Sequence, residues 1–260
     1  MSLPTLFISH GSPMLAIEDS PAHRFLLELG KTLPRPKAII VASAHWESMG
    51  GLAVNLASHP ETIHDFGGFP EALFEIQYPV PGAPDTAARA AELLEQAGFV
   101  VKRDSARGLD HGAWVPLRLM YPDADIPTAQ LSLRRGGSPA EHERVGKALA
   151  KLREDDVLII GSGSLTHNLY AFRGASIDAA VPSWVSDFDK WMHTGLQSNQ
   201  RESLLDYRAQ APFAVRNHPT EEHLLPLFVA LGAAGDAPKV ERLHASYEYG
   251  VLAMDMYAWA

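Results

Sequence analysis

A chain of 260 residues, 46% of them hydrophobic, is long enough to bury one sizeable core and is ordinary in composition for a globular protein. Its formal charge of -9 weighs against a nucleic-acid surface, and the absence of cysteine excludes disulfides, thiolate nucleophiles and iron–sulfur clusters. The opening MSLPTLFISHGSP has neither the basic stretch nor the apolar length of a signal peptide or membrane span, so a cytoplasmic protein without a membrane or nucleic-acid partner is expected.

In chain order, Thr5–Ser9 reads as a buried strand. Ser20 and Pro21 then offer an N-cap and first-turn proline for a helix that Gly30 should stop. Ala38–Ala44 is a second buried strand and Leu52–Leu56 a third, placed at an edge. The Pro- and Gly-rich stretch Ile63–Pro84 has no clear period and reads as a lid. Pro84–Ala97 is amphipathic and alanine-rich, ending at Gly98. A short strand at Leu131–Leu133 precedes the capping box Ser138-Pro139-Ala140-Glu141, whose helix should run to about Arg153.

Val157–Ile160 is the next strand, and Trp184–Leu196 and Arg201–Ala209 read as helices. Thr220 should cap a last helix, Glu221–Leu231, bent by Pro226. No repeat or linker divides the chain. The expectation is one α/β domain over residues 1–260, with a central, mostly parallel or mixed sheet flanked by helices.

Of twelve histidines, His10, His45 and His167 each sit just beyond a separate apolar run. Strand ends converge in open α/β sheets, so these imidazoles can meet in one crevice, and without cysteine they point to a nitrogen-ligated metal centre. His45 ends a central strand beside Trp46, and His167 follows the small-residue loop Gly161-Ser162-Gly163-Ser164-Leu165-Thr166. His223 falls at N3 of the expected last helix, where the dipole disfavours a protonated ring; His218 precedes it, and either could support the site rather than form it. His111 lies between Asp110 and Trp114, as an acid/base group or a turn histidine. In the lid, His64, Phe66, Phe69 and Tyr78 suit a flat aromatic substrate. His23, His59, His142, His193 and His244 read as surface histidines.

Common catalytic signatures are missing. The glycine-rich loop lacks a glycine at position 166, and there is no P-loop, no Gly-x-Ser-x-Gly elbow and no His-Glu-x-x-His. Ser12 and Ser164 could serve as nucleophiles, but no orienting carboxylate stands out for either.

The motifs Ser9-His10-Gly11-Ser12-Pro13, Ser43-Ala44-His45-Trp46, Leu109–Leu117, Gly161–Asn168 and His218–Leu227, taken in order, resemble those of the class III extradiol ring-cleaving dioxygenases, more narrowly the 4,5-DOPA dioxygenase branch. The resemblance covers essentially the whole chain. It implies one divalent metal per chain, Fe(II) for activity with Zn(II) able to occupy the site. It also implies a small catechol and O₂ as substrates. It further implies His10, His45 and His223 as ligands, with His223 where protocatechuate-cleaving relatives use a glutamate, which gives three neutral ligands in place of the usual 2-His-1-carboxylate set. His167 then becomes the acid/base residue, near enough to reach the metal, and His111 a residue beside the substrate hydroxyls. Trp46, His64 and Phe66 are expected at the substrate. A monomer or small homo-oligomer is expected.

Two other readings compete. A zinc hydrolase of amides or esters would use the same histidines with Glu222 or Asp110 as general base, and a non-catalytic metal-binding protein would need no acid/base residue at all.

Overall fold

A computed structural model describes residues 3–172, 174–236 and 238–260. Its strands are β1 (Thr5–Ser9), β2 (Ala38–Ser48), β3 (Leu52–Asn55), β4 (Val101–Asp104), β5 (Thr128–Arg134), β6 (Val157–Gly163), β7 (Val240–His244), β8 (Tyr247–Glu248), β9 (Leu252–Ala253) and β10 (Met256–Trp259). Eight form one mixed sheet in the order β4-β3-β5-β2-β6-β1-β10-β7, while β8 and β9 make a small antiparallel pair. The middle strands β5, β2, β6 and β1 are mutually parallel; β3 and β10 join them antiparallel.

Alternation along the parallel strands sends their side chains into two cores. Leu6, Ile8, Ile39, Val41, Leu158 and Ile160 face the helices Pro21–Thr32 and His111–Met120. Phe7, Ile40, Ala42 and Ile159 face the opposite layer, which includes Pro84–Gln96, Pro139–Leu149, Ser183–Gln197 and Leu225–Ala233. Strands buried on both faces read as continuous apolar runs, which is why they were visible in the sequence.

Several boundaries differ from expectation, each for a physical reason. Gly30 does not stop its helix, which continues to Thr32; a Cβ there would come within 1.8 Å of the Met120 carbonyl, so glycine permits close helix–helix approach. β3 is not the edge, because β4 pairs outside it. The last helix begins at Leu225, so Pro226 falls in its first turn, where proline costs no hydrogen bond, and His223 precedes the helix. The dipole argument for His223 therefore lapses. Ser138 is the N-cap as expected, accepting from the Glu141 N–H, but the Glu141 carboxylate pairs with Arg134 instead of closing the box, the helix ends at Leu149 and a 3₁₀ segment, Ala150–Asp155, follows.

The helix His111–Met120 escaped the sequence reading because nearly all of it is buried, which leaves no polar stripe to mark a helical period. His142 is also buried: its Nδ1 donates to the Ser138 carbonyl and its Nε2 accepts from the Arg134 N–H. Among the described residues, no helix is long and apolar enough to cross a membrane.

Candidate metal centre

The register of three parallel strands creates the site. Ser9, the last residue of β1, faces Gly163 of β6, and Ser43 of β2 faces Ser162, so His10 and His45 stand at the same end of the two strands that flank β6. β2 does not end at Ala44 but bulges: Ala42 pairs with Leu131 and Glu47 with Leu133, and the extra residues around His45 turn its ring toward His10. The third arm is the turn before the last helix. Ser164 N–H donates to the His223 carbonyl at 2.8 Å, and a Cβ on Gly163 would stand 2.1 Å from that oxygen, so the small residues of β6 let the His223 turn pack onto the strand end. Gly112 does the same from another side, since a Cβ there would meet Ser43 Oγ at 2.5 Å and the rings of His45 and His10 just beyond 3 Å.

His45 Nε2 lies 3.0 Å from His10 Nε2 and 3.3 Å from His223 Nε2. The other nitrogen of His10 and of His223 has a hydrogen-bond partner that fixes its proton, and that of His45 faces a carboxylate. Ser162 donates its hydroxyl to the Gly112 carbonyl, so its oxygen accepts from His10 Nδ1–H at 2.9 Å. Glu222 Oε1 accepts from His223 Nδ1–H at 3.0 Å, and Asp65 Oδ2 lies 3.5 Å from His45 Nδ1. With protons on Nδ1, three Nε2 lone pairs face one another. Nitrogen ligands about 2.1 Å from one ion stand roughly 3.0–3.4 Å apart, so this donor set fits a divalent metal.

Electrostatics agree. Burial, followed by the neighbouring imidazoles, holds His10 and His223 well below the ordinary histidine value. Burial and then His111 bring His45 down to about 3, and burial brings His167 down to about 4. These rings are neutral at pH 7, the state that ligates.

His167 and His111 flank the triad. The His167 ring stacks on His223 with centroids 3.4 Å apart, and His111 lies 3.9 Å from the His45 ring. A cavity of about 470 Å³ opens beside them, walled by Phe66, Phe69, Leu169, Phe172, Leu252 and Tyr249, with His45, His111, His167 and His223 at its base. Its size and mostly apolar wall suit a small aromatic ring.

The remaining expected residues divide. Phe66 lines the cavity. Trp46 and His64 do not. Trp46 follows His45 on an alternating strand, so its indole turns away and lies under the Arg107 guanidinium. His64 Nε2 donates to the Ile76 carbonyl, and the ring packs on Phe66, Phe74 and Trp114. Of the lid, only the part around Asp65–Phe69 reaches the cavity; Tyr78 is buried, donating its hydroxyl to the Leu117 and Tyr121 carbonyls. His218 is a core residue whose Nε2 donates to the Leu165 carbonyl. Asp65 and Ser162 were not singled out by sequence reasoning; neither has a signal apart from the strand and loop that carry it.

Residues 4–255 match the family described as the catalytic LigB subunit of aromatic ring-opening dioxygenase. The chain belongs to this family. It is 45% identical over 257 residues to the 4,5-DOPA dioxygenase extradiol of Beta vulgaris, covering 97% of this chain and 95% of the relative. It is 41% identical over 234 residues to the protein of the same name in Escherichia coli strain K12, covering 89% and 85%. The crystal structure of an uncharacterized E. coli K12 protein superposes with a TM-score of 0.84 at 34% identity, covering 99% of this chain and all of the other. Family membership makes the chain an aromatic ring-opening dioxygenase, and its His10, His45 and His223 could hold a metal ion.

Proposed function

We propose that the chain opens the ring of a small, DOPA-like catechol beside its paired hydroxyls, giving a ring-opened semialdehyde, with one Fe(II) held by His10, His45 and His223. The observation that carries this is the set of three facing Nε2 atoms at the base of an aromatic-walled cavity. Bound there, Fe(II) would supply the Lewis acidity and redox capacity that bring catechol and O₂ together; Zn(II) in the same place would lack the second.

The protein's own groups then have separate tasks. Phe66 and Phe69 orient the ring and exclude water, and His111 contacts a substrate hydroxyl. A ring nitrogen of His167, neutral at working pH, takes the proton of the second hydroxyl and returns it as the ring opens. That strands from residue 5 to residue 259 share one sheet supports reading the chain as one catalytic domain.

The hydrolase reading is less well served. Its candidate bases are both engaged: Asp110 is buried, accepting from Ser43, Gln130 and Arg107, and Glu222 accepts from His223. The test is oxygen uptake by metal-free protein reconstituted anaerobically with Fe(II) or with Zn(II), using DOPA and 4-methylcatechol. Uptake with Fe(II) alone is expected, and none with any catechol would overturn the proposal.

A further inference from the structure

We propose that Asp65 is a positioning residue whose single carboxylate sets the hydrogen-bonding state of both His45 and His111; the consequence for turnover rests on the function proposed above. Its Oδ1 accepts from the His111 backbone N–H at 2.9 Å and lies 3.0 Å from His111 Nδ1, while Oδ2 lies 3.5 Å from His45 Nδ1. The side chain is 21% exposed, so these contacts form at the edge of the cavity rather than in open solvent.

Three features make this a built arrangement. His111 is the first residue of its helix, and the preceding Asp110 gives that helix no side-chain cap because Ser43, Gln130 and Arg107 occupy it. Asp65 supplies the missing acceptor from another segment. That segment is pinned: Ile63 N–H donates to the Leu109 carbonyl at 2.8 Å, and the buried Trp114 donates its indole N–H to the Ile63 carbonyl at 2.9 Å. Finally, His111 Nδ1 is buried and has no well-aligned hydrogen-bond partner among the described residues, which leaves the nearby Oδ1, at bonding distance but out of line, as its acceptor. Catalytic hydrogen bonds are commonly out of line before substrate arrives.

The chemical consequence is a choice of tautomer. A carboxylate at Nδ1 keeps the His111 proton there and leaves Nε2 bare as an acceptor for a substrate hydroxyl. The same carboxylate holds the Nδ1 proton of His45, which frees His45 Nε2 for a metal. Asp65 thereby ties the geometry of a metal-facing ring to that of a substrate-facing ring.

Two variants separate the arms. In Asp65→Asn the amide oxygen can replace Oδ1 at His111, but the amide NH₂ then faces His45 Nδ1–H, donor against donor. Asp65→Ala removes both contacts. Imidazole ¹⁵N shifts of metal-free protein should show His111 with Nδ1–H in wild type and Asp65→Asn, and a shift toward Nε2–H in Asp65→Ala. Co(II) affinity by equilibrium dialysis should fall about 10–100-fold in both variants. At saturating Fe(II), kcat should fall about 10²-fold in Asp65→Ala and by less in Asp65→Asn, which keeps an acceptor at His111. A mere helix cap would lower the melting temperature of Asp65→Ala alone. An unchanged His111 tautomer in Asp65→Ala, or unchanged Co(II) affinity in both variants, overturns the proposal. Should Asp65→Ala fail to fold, Asp65→Asn still carries the Co(II) test. If wild type takes up no oxygen with any catechol, the functional reading fails while the shift and Co(II) results still judge Asp65.

Discussion

The imidazole of His167 lies flat on that of His223, centroids 3.4 Å apart and planes 8° from parallel. The Nε2 atoms of His10, His45 and His223 would hold a metal, and the stacked His167 would be left to move a proton at the substrate. His167→Gln should therefore keep its metal and most of its catechol affinity while turnover falls about 10²–10⁴-fold. Metal content, catechol titration and oxygen consumption on the same preparation decide it. Near wild-type turnover removes the acid/base role, and loss of metal makes His167 a ligand.

His218 and His223 bracket one short turn but belong to different structures. His223 Nε2 faces His45, whereas His218 is fully buried against Phe188 and Tyr207 and donates to the Leu165 carbonyl. His223→Ala should abolish stoichiometric metal binding with little loss of fold. His218→Ala should retain metal yet lower stability by about 2–4 kcal/mol, the usual cost of emptying a buried aromatic site and orphaning its acceptor. Metal analysis alongside urea unfolding of both variants checks the assignment.

What the sequence made legible follows from where chemistry and backbone coincide. His10 and His45 were visible because the apolar runs of parallel strands give way abruptly to polar residues, and the sheet brings those positions together. Trp46 lies outside the cavity lining because its indole packs under the Arg107 guanidinium, a contact that adjacency to His45 in the sequence does not reveal. The start of the last helix was misplaced because Thr220 and Glu221 imitate a cap, whereas Pro226 prefers the first turn. Asp65 and Ser162 could not be found from the sequence. Their importance lies in contacts with His111, His45 and His10 across 46, 20 and 152 positions, which only the folded chain creates.

Phe66 stands T-shaped to the His111 ring and packs against Phe69 at the cavity wall. It touches no metal-facing nitrogen. Phe66→Ala should raise the catechol KM roughly tenfold, in line with about 1–2 kcal/mol of lost apolar contact, while metal content stays at wild type. Steady-state kinetics at saturating Fe(II) test this; an unchanged KM would place the substrate elsewhere in the cavity.

The buried histidines also make the metal-free fold sensitive to acid, with a sign that can be worked out. Burial lowers His218 to about 3, although its bond to the Leu165 carbonyl works the other way. In the unfolded chain the same ring titrates near its ordinary value of about 6.5. Between those values the unfolded state binds a proton that the folded state refuses, so stability rises with pH across the window. The contribution is present above about pH 6.5 and is lost as pH falls toward 3, so at pH 5 a single such ring costs on the order of 2 kcal/mol relative to pH 8. His218→Leu cannot take up that proton. Its stability measured by urea unfolding without metal should drop less between pH 8 and pH 5 than that of wild type, even if it is lower at pH 8. Parallel pH profiles for the two proteins would show that His218 contributes nothing to the acid sensitivity, which then resides in other groups.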